Sequence, residues 1–114
     1  MRSGSIIDKD GVGYSDSLDM LVVALCSDYS RRERSISGGK CSRRTAMEYK
    51  YINALILEGA SEVVGTPHAE TFIYEIGNRI GYAKSSLGFF SETAYKVYKQ
   101  DVKIAVARKL HLLD

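Results

Sequence analysis

Few residues of this chain combine the side-chain types and spacing that covalent or metal chemistry demands. Cys26 and Cys41 have neither metal-ligand spacing nor a disulfide framework around them. Neither comes with the histidine and orienting group that mark an activated thiol nucleophile. His68 and His111 lie far apart, with no Cys or carboxylate at ligand spacing, and read as solvated surface histidines. Asp8-Lys9-Asp10-Gly11 begins like a calcium loop, but Val12 occupies its fifth position and Asp19, an aspartate, its twelfth. The stretch from Gly77 to Gly81 has no Lys-Ser or Lys-Thr where a phosphate loop needs one. The expectation is a protein that is not an enzyme, with no cofactor, no metal and no small-molecule substrate.

Charge is the other chemistry available. Glu92, Lys96, Lys99 and Lys103 follow one another at four, three and four residues, so they share one face of a helix. With Ser91 and Thr93 at its N-terminal end, such a face suits contact with phosphates and base edges. A plain solvated helix face is the competing reading. The net charge of +2 does not by itself call for a polyanion partner. Its distribution says more. Arg31, Arg32, Arg34, Lys40, Arg43 and Arg44 cluster in the first half, and Lys96, Lys99, Lys103, Arg108 and Lys109 near the end, with a mildly acidic stretch between. Two basic patches can flank one groove.

The lysine face needs elements to hold it. From Thr71 to Leu113 the chain has the outline of a helix-turn-helix. Phe72, Ile73, Ile76 and Ile80 form an apolar stripe on a first helix that Thr66 and Pro67 start. Gly77 allows close approach of a neighbouring backbone, and Gly81 suits the left-handed residue that ends a helix. Two registers fit the reading helix. In one, Lys84 to Phe90 start it, with Gly88 inside the helix. In the other, residues 82–90 form a long turn and the helix begins at Ser91. The second has the better cap and the lysine face. Tyr95 and Tyr98 fall on its inward side.

Upstream, residues 1–14 carry three glycines and only Ile6 and Ile7 as apolar anchors, which predicts a flexible N-terminus. Ser15 or Asp16 opens a helix with Leu18, Leu21, Val22, Leu25 and Tyr29 in register, continuing through Arg34 and stopping by Gly38-Gly39. Thr45 and Glu48 have capping-box spacing and start a helix that ends at Gly65, with Gly59 tolerated inside it. Its apolar arc, around Ile52, Leu55 and Ile56, is wide enough for two neighbours. The first two helices are therefore expected to form a hairpin over residues 15–65 that also dimerises, with the DNA-binding unit over 66–114. Helices are predicted near 16–36, 45–64, 67–80 and 91–111, with no stretch long enough to propose a strand. One proline, no tryptophan and eight tyrosines fit an all-α small helical bundle with a modest core. No apolar run approaches a membrane span and no secretory leader is recognisable, so a soluble, cytoplasmic chain with reduced thiols is expected.

Glu75-Ile76-Gly77, Gly81-Tyr82, Lys84-Ser85, Ser91-Glu92-Thr93-Ala94-Tyr95-Lys96 and Val102-Lys103-Ile104-Ala105 through Leu110 resemble the C-terminal region of phage-encoded transcription regulators of the ArpU and RinA type. Those are similar in turn to the promoter-reading region of sigma factors. Asp28-Tyr29-Ser30-Arg31-Arg32 resembles their N-terminal half, and the likeness departs at Leu87 to Phe90, where the turn is longer. The resemblance implies a prophage-encoded DNA-binding activator from a Gram-positive bacterium, with duplex DNA and RNA polymerase as partners and a reading helix starting at Ser91. Its contact residues are then Lys84, Ser85, Ser91, Glu92, Thr93, Lys96, Lys99 and Lys103, supported by Arg43 and Arg44. The alternative is a phage assembly module, a small-terminase-like helical oligomer without sequence-specific DNA binding. An RNA-binding helical protein comes third, with no recognisable stacking motif.

Overall fold

The computed structural model describes residues 13–114 and the backbone of Ser5–Ile6, which as β1 pairs antiparallel with β2, Tyr14–Ser15. The expected flexible N-terminus and the rejected calcium loop otherwise fall outside the described residues. Ser15 then caps α1, Asp16–Ser27, its Oγ accepting from the Leu18 N–H at 3.1 Å. Asp16 and Asp19 occupy the first turn, where the helix dipole favours negative charge.

The single helix predicted over 16–36 is two helices. After Ser27 the chain breaks at Asp28 and resumes as α2, Tyr29–Ser37. A tertiary contact lies at that junction. Gly77 of a later helix packs so tightly on this junction that a Cβ at Gly77 would lie 2.6 Å from the Cα and N of Ser27. The Asp28 carboxylate turns onto Arg31, at 2.5 and 2.6 Å.

Helix α3, Arg43–Val64, starts three residues earlier than the capping box suggests. Ser42 takes the cap, its Oγ accepting from the Thr45 N–H, so Thr45 lies inside the first turn. Gly65, at φ +82, ends α3 and itself begins α4, Thr66–Gly77, so Thr66 is the first helical residue and not its cap. The end of α4 also differs from expectation. Arg79, not Gly81, takes the left-handed conformation at φ 54. The Ile80 and Arg79 N–H groups then reach back to the Glu75 and Ile76 carbonyls, closing a Schellman motif. The same device closes α5, Glu92–Lys109, with His111 at φ 60.

The bundle is organised around α3. It packs against α2, α4 and α5, while α1 packs against α4 and α5. Residues 15–65 and 66–114 thus share one core, in which Val22, Ile56, Phe72, Ile73, Tyr95, Val102 and Val106 are buried. The wide apolar arc of α3 is used inside this core: Ile56 is fully buried and Ile52 packs against the core. Leu55 of the same arc is half-buried and lies outside that core. Gly59 lets α5 approach closely, since a Cβ there would lie 3.0 Å from the Val106 backbone.

Candidate nucleic-acid interface

Helix α5 starts where the second register places it. Ser91 caps it, with Oγ accepting from the Ala94 N–H at 3.1 Å, and residues 82–90 are a short 3-10 turn, Tyr82–Lys84, followed by irregular chain. The whole α4–α5 connection, residues 78–91, is far longer than the turn of about 3–4 residues usual in a helix-turn-helix. A buried carboxylate organises it. Glu75 is 2% exposed and accepts from Ser85 Oγ at 2.6 Å, Ser86 N and Oγ at 3.0 Å each, and the Tyr95 hydroxyl at 2.7 Å. Burial pushes its pKa up, but the hydrogen bonds from Ser85, Tyr95 and Ser86 together outweigh that and hold it below the usual glutamate value. Tyr82 closes the other side of the connection by donating to the Phe90 carbonyl at 2.6 Å.

These contacts sort the sequence-derived candidates. Ser85 turns inward onto Glu75, while Lys84 is exposed at the end of the 3-10 turn. Ser91, Glu92, Thr93 and Lys96 are exposed on the first turns of α5, and Lys96 pairs with Glu92 at 3.0 Å. The expected lysine face ends there. Lys99 donates to the Ile80 carbonyl at 2.7 Å and lies over the Tyr95 ring at 5.1 Å. Burial, then nearby Lys103, lowers its pKa. Lys103 pairs with Asp19 of α1 at 3.0 Å, with both side chains largely covered. Spacing put Lys99 and Lys103 on one face with Lys96, but that face turns into the bundle because α5 is surrounded by α3, α1 and the connection. Lys109 is likewise drawn onto Glu58 at 2.6 Å and Glu62 at 2.5 Å.

The basic groups of the first half are disposed differently. Arg43 and Arg44 are exposed on the first turn of α3, with Lys50 and the side chains of Met47 and Tyr51 on the turns that follow. Arg44 is held only loosely by Glu48, at 3.7 Å. Lys40 is exposed in the connection from α2. A buried network clamps α2 to α3 beneath them. Arg32, 3% exposed, donates to Asn53 Oδ1 and to the Leu25 carbonyl, both at 2.6 Å, and Asn53 Nδ2 donates to the Tyr29 carbonyl and to Glu33. On the outside, Arg31 lies over the Tyr49 ring of α3 at 5.3 Å.

In comparisons with known proteins no family model matches the chain, and no curated protein and no solved structure matches it. The likeness to ArpU and RinA regulators thus stands on its own residues alone.

Burial pushes the Cys26 thiol up to about 12, so the thiolate a nucleophile needs is scarce near neutral pH. His68 packs against the rings of Phe89 and Phe90, at 5.5 and 5.6 Å. Among the described residues no group of His, Cys, Asp or Glu has the arrangement of a metal site, and no helix is long and apolar enough to cross a membrane. Sequence reasoning missed Glu75, Arg32 and Asn53 as organising residues. Each had a signal, being a polar residue set within an apolar stretch: Glu75 among Phe72, Ile73 and Ile76, Asn53 between Ile52 and Ile56, and Arg32 in step with Leu25, Tyr29 and Ile36.

Proposed function

We propose that the protein binds duplex DNA as a phage-type transcription regulator, and that α2, the turn at Gly38-Gly39 and the first two turns of α3 form its binding unit. The observation that carries this reading is the placement of charge. From the α2 cap onward, residues 28–50 hold seven Lys and Arg against Asp28, Glu33 and Glu48, net +4, while the whole chain is only +2, which leaves −2 for the rest. The cations of α5 are mostly engaged within the fold, whereas Lys40, Arg43, Arg44 and Lys50 are exposed. Local energetics points the same way. Two arginines in the first turn of a helix oppose its dipole, at a cost of roughly 0.3–1 kcal/mol each, and a local rule broken without structural gain is characteristic of a functional site. Met47 and Tyr51, 65% and 63% exposed and one turn apart, supply apolar contact of the kind that thymine methyl groups meet.

The first turn of α5 is the second reading, because Lys84, Ser91, Thr93 and Lys96 remain exposed there. Titration of the protein against random and selected duplexes at several salt concentrations separates the two. Arg43→Gln and Lys50→Gln are expected to weaken binding to all duplexes and to lower the salt slope by about one for each phosphate no longer neutralised. Lys99→Met is expected to lower thermal stability with the slope unchanged. An effect confined to Thr93→Ala and Lys96→Gln would move the interface to α5. An unchanged slope in all four of the polar variants would leave the assembly module as the better reading.

A further inference from the structure

A cleft of about 470 Å3 opens between the α1–α2 junction and α4, within the range of roughly 300–1,000 Å3 that holds small ligands. Its walls differ in chemistry. From α2 come Ser30, Arg31 and Arg34. Arg31 is fixed by Asp28, at 2.5 and 2.6 Å, whereas the exposed Arg34 has no ion-pair partner among the described residues. From α4 come Glu70 and Tyr74, and from its C-cap Asn78, spaced four residues apart along one side. The Tyr74 ring is 56% exposed, and Asn78 Nδ2 donates to the Tyr74 carbonyl at 2.8 Å, which leaves its Oδ1 as an acceptor. The cleft therefore offers a cation on one wall, and on the other an aromatic face flanked by two acceptors.

A bare anion would answer Arg34 but be repelled by Glu70, and an apolar ligand would leave both charges unanswered. A molecule with a phosphate at one end and a flat, donor-bearing ring at the other satisfies every wall. We propose that this cleft binds a purine mononucleotide, with the phosphate on Arg34 and Ser30, the base stacked on Tyr74, and the base edge donating to the Glu70 carboxylate. The two oxygens of the Glu70 carboxylate favour guanine, whose N1–H and N2 amino group both donate from one edge, over adenine, which presents a ring-nitrogen acceptor at N1.

Isothermal titration of the full chain with GMP, AMP, guanosine and inorganic phosphate tests this. GMP is expected to bind about tenfold or more tightly than either guanosine or phosphate alone. Arg34→Gln should abolish the advantage of GMP over guanosine, Tyr74→Ala should weaken both, and Glu70→Gln should narrow the gap between GMP and AMP. All three positions lie on the surface or rim, and circular dichroism checks that each variant keeps its fold. Equal affinity for GMP and inorganic phosphate would overturn the proposal, as would an Arg34→Gln variant that still prefers GMP to guanosine. Duplex DNA takes no part in these measurements, so their failure is distinguishable from failure of the DNA-binding reading.

Discussion

Glu75 carries a testable pH dependence. Its folded pKa lies below that of a free glutamate, so the stability it contributes is fully present above the ordinary carboxylate value and is lost as pH falls through the folded value. Glu75→Gln keeps the shape but loses the charge that strengthens the hydrogen bonds from Ser85, Ser86 and Tyr95, at a cost of about 1.5–3 kcal/mol at neutral pH. The melting temperatures of wild type and variant should therefore differ most near pH 7 and converge on acidification toward pH 3. A gap that stays constant would show that the carboxylate's charge is not what holds the connection. Sequence reasoning could find the lysines of α5 but not their direction, because i, i+4 spacing fixes which residues share a face and says nothing of which neighbour that face meets. Lys99 reaches the Ile80 carbonyl only because the long connection brings that carbonyl over α5.

Among the elements, two of the four expected starts were legible and two were not, Ser42 capping α3 in place of Thr45 and Gly65 capping α4 in place of Thr66. Ser15 and Ser91 act as caps where the sequence places them, since one side-chain oxygen and a nearby amide suffice. The break at Asp28 was not legible in the local periodicity; it falls where Gly77, 49 residues further along the chain, packs against Ser27. The closure of α4 by Arg79 also defied the expectation, which looked to the nearest glycine. A non-glycine residue in the left-handed region bears a steric cost of roughly 1–2 kcal/mol. Arg79→Gly removes that cost and adds flexibility to the unfolded chain, so a net gain of up to about 1 kcal/mol is expected in denaturant titration. Destabilisation would mean that the Arg79 side chain makes a contact worth more than the strain.

At the level of the whole molecule, composition and periodicity sufficed for an all-α bundle, and four of its apolar-periodic stretches are helical. Assignment of the interface was harder. Both basic clusters were visible in the sequence, but only packing distinguishes the cluster near Arg43 and Arg44, exposed at the start of a helix, from the one on α5, much of which pairs with Asp19, Glu58 and Glu62. The central position of α3 has a kinetic consequence. Because α2, α4 and α5 all rest on it, the amides around Asn53, Ile56 and Ala60 can meet solvent only when the entire bundle opens. In native-state hydrogen–deuterium exchange those amides should be the slowest and share a single opening free energy, while amides in the 38–42 connection exchange through local fluctuations. Two distinct opening energies within α3 would mean that its ends unravel independently, and that the basic N-terminal turns can be reshaped on a bound partner without disturbing the core.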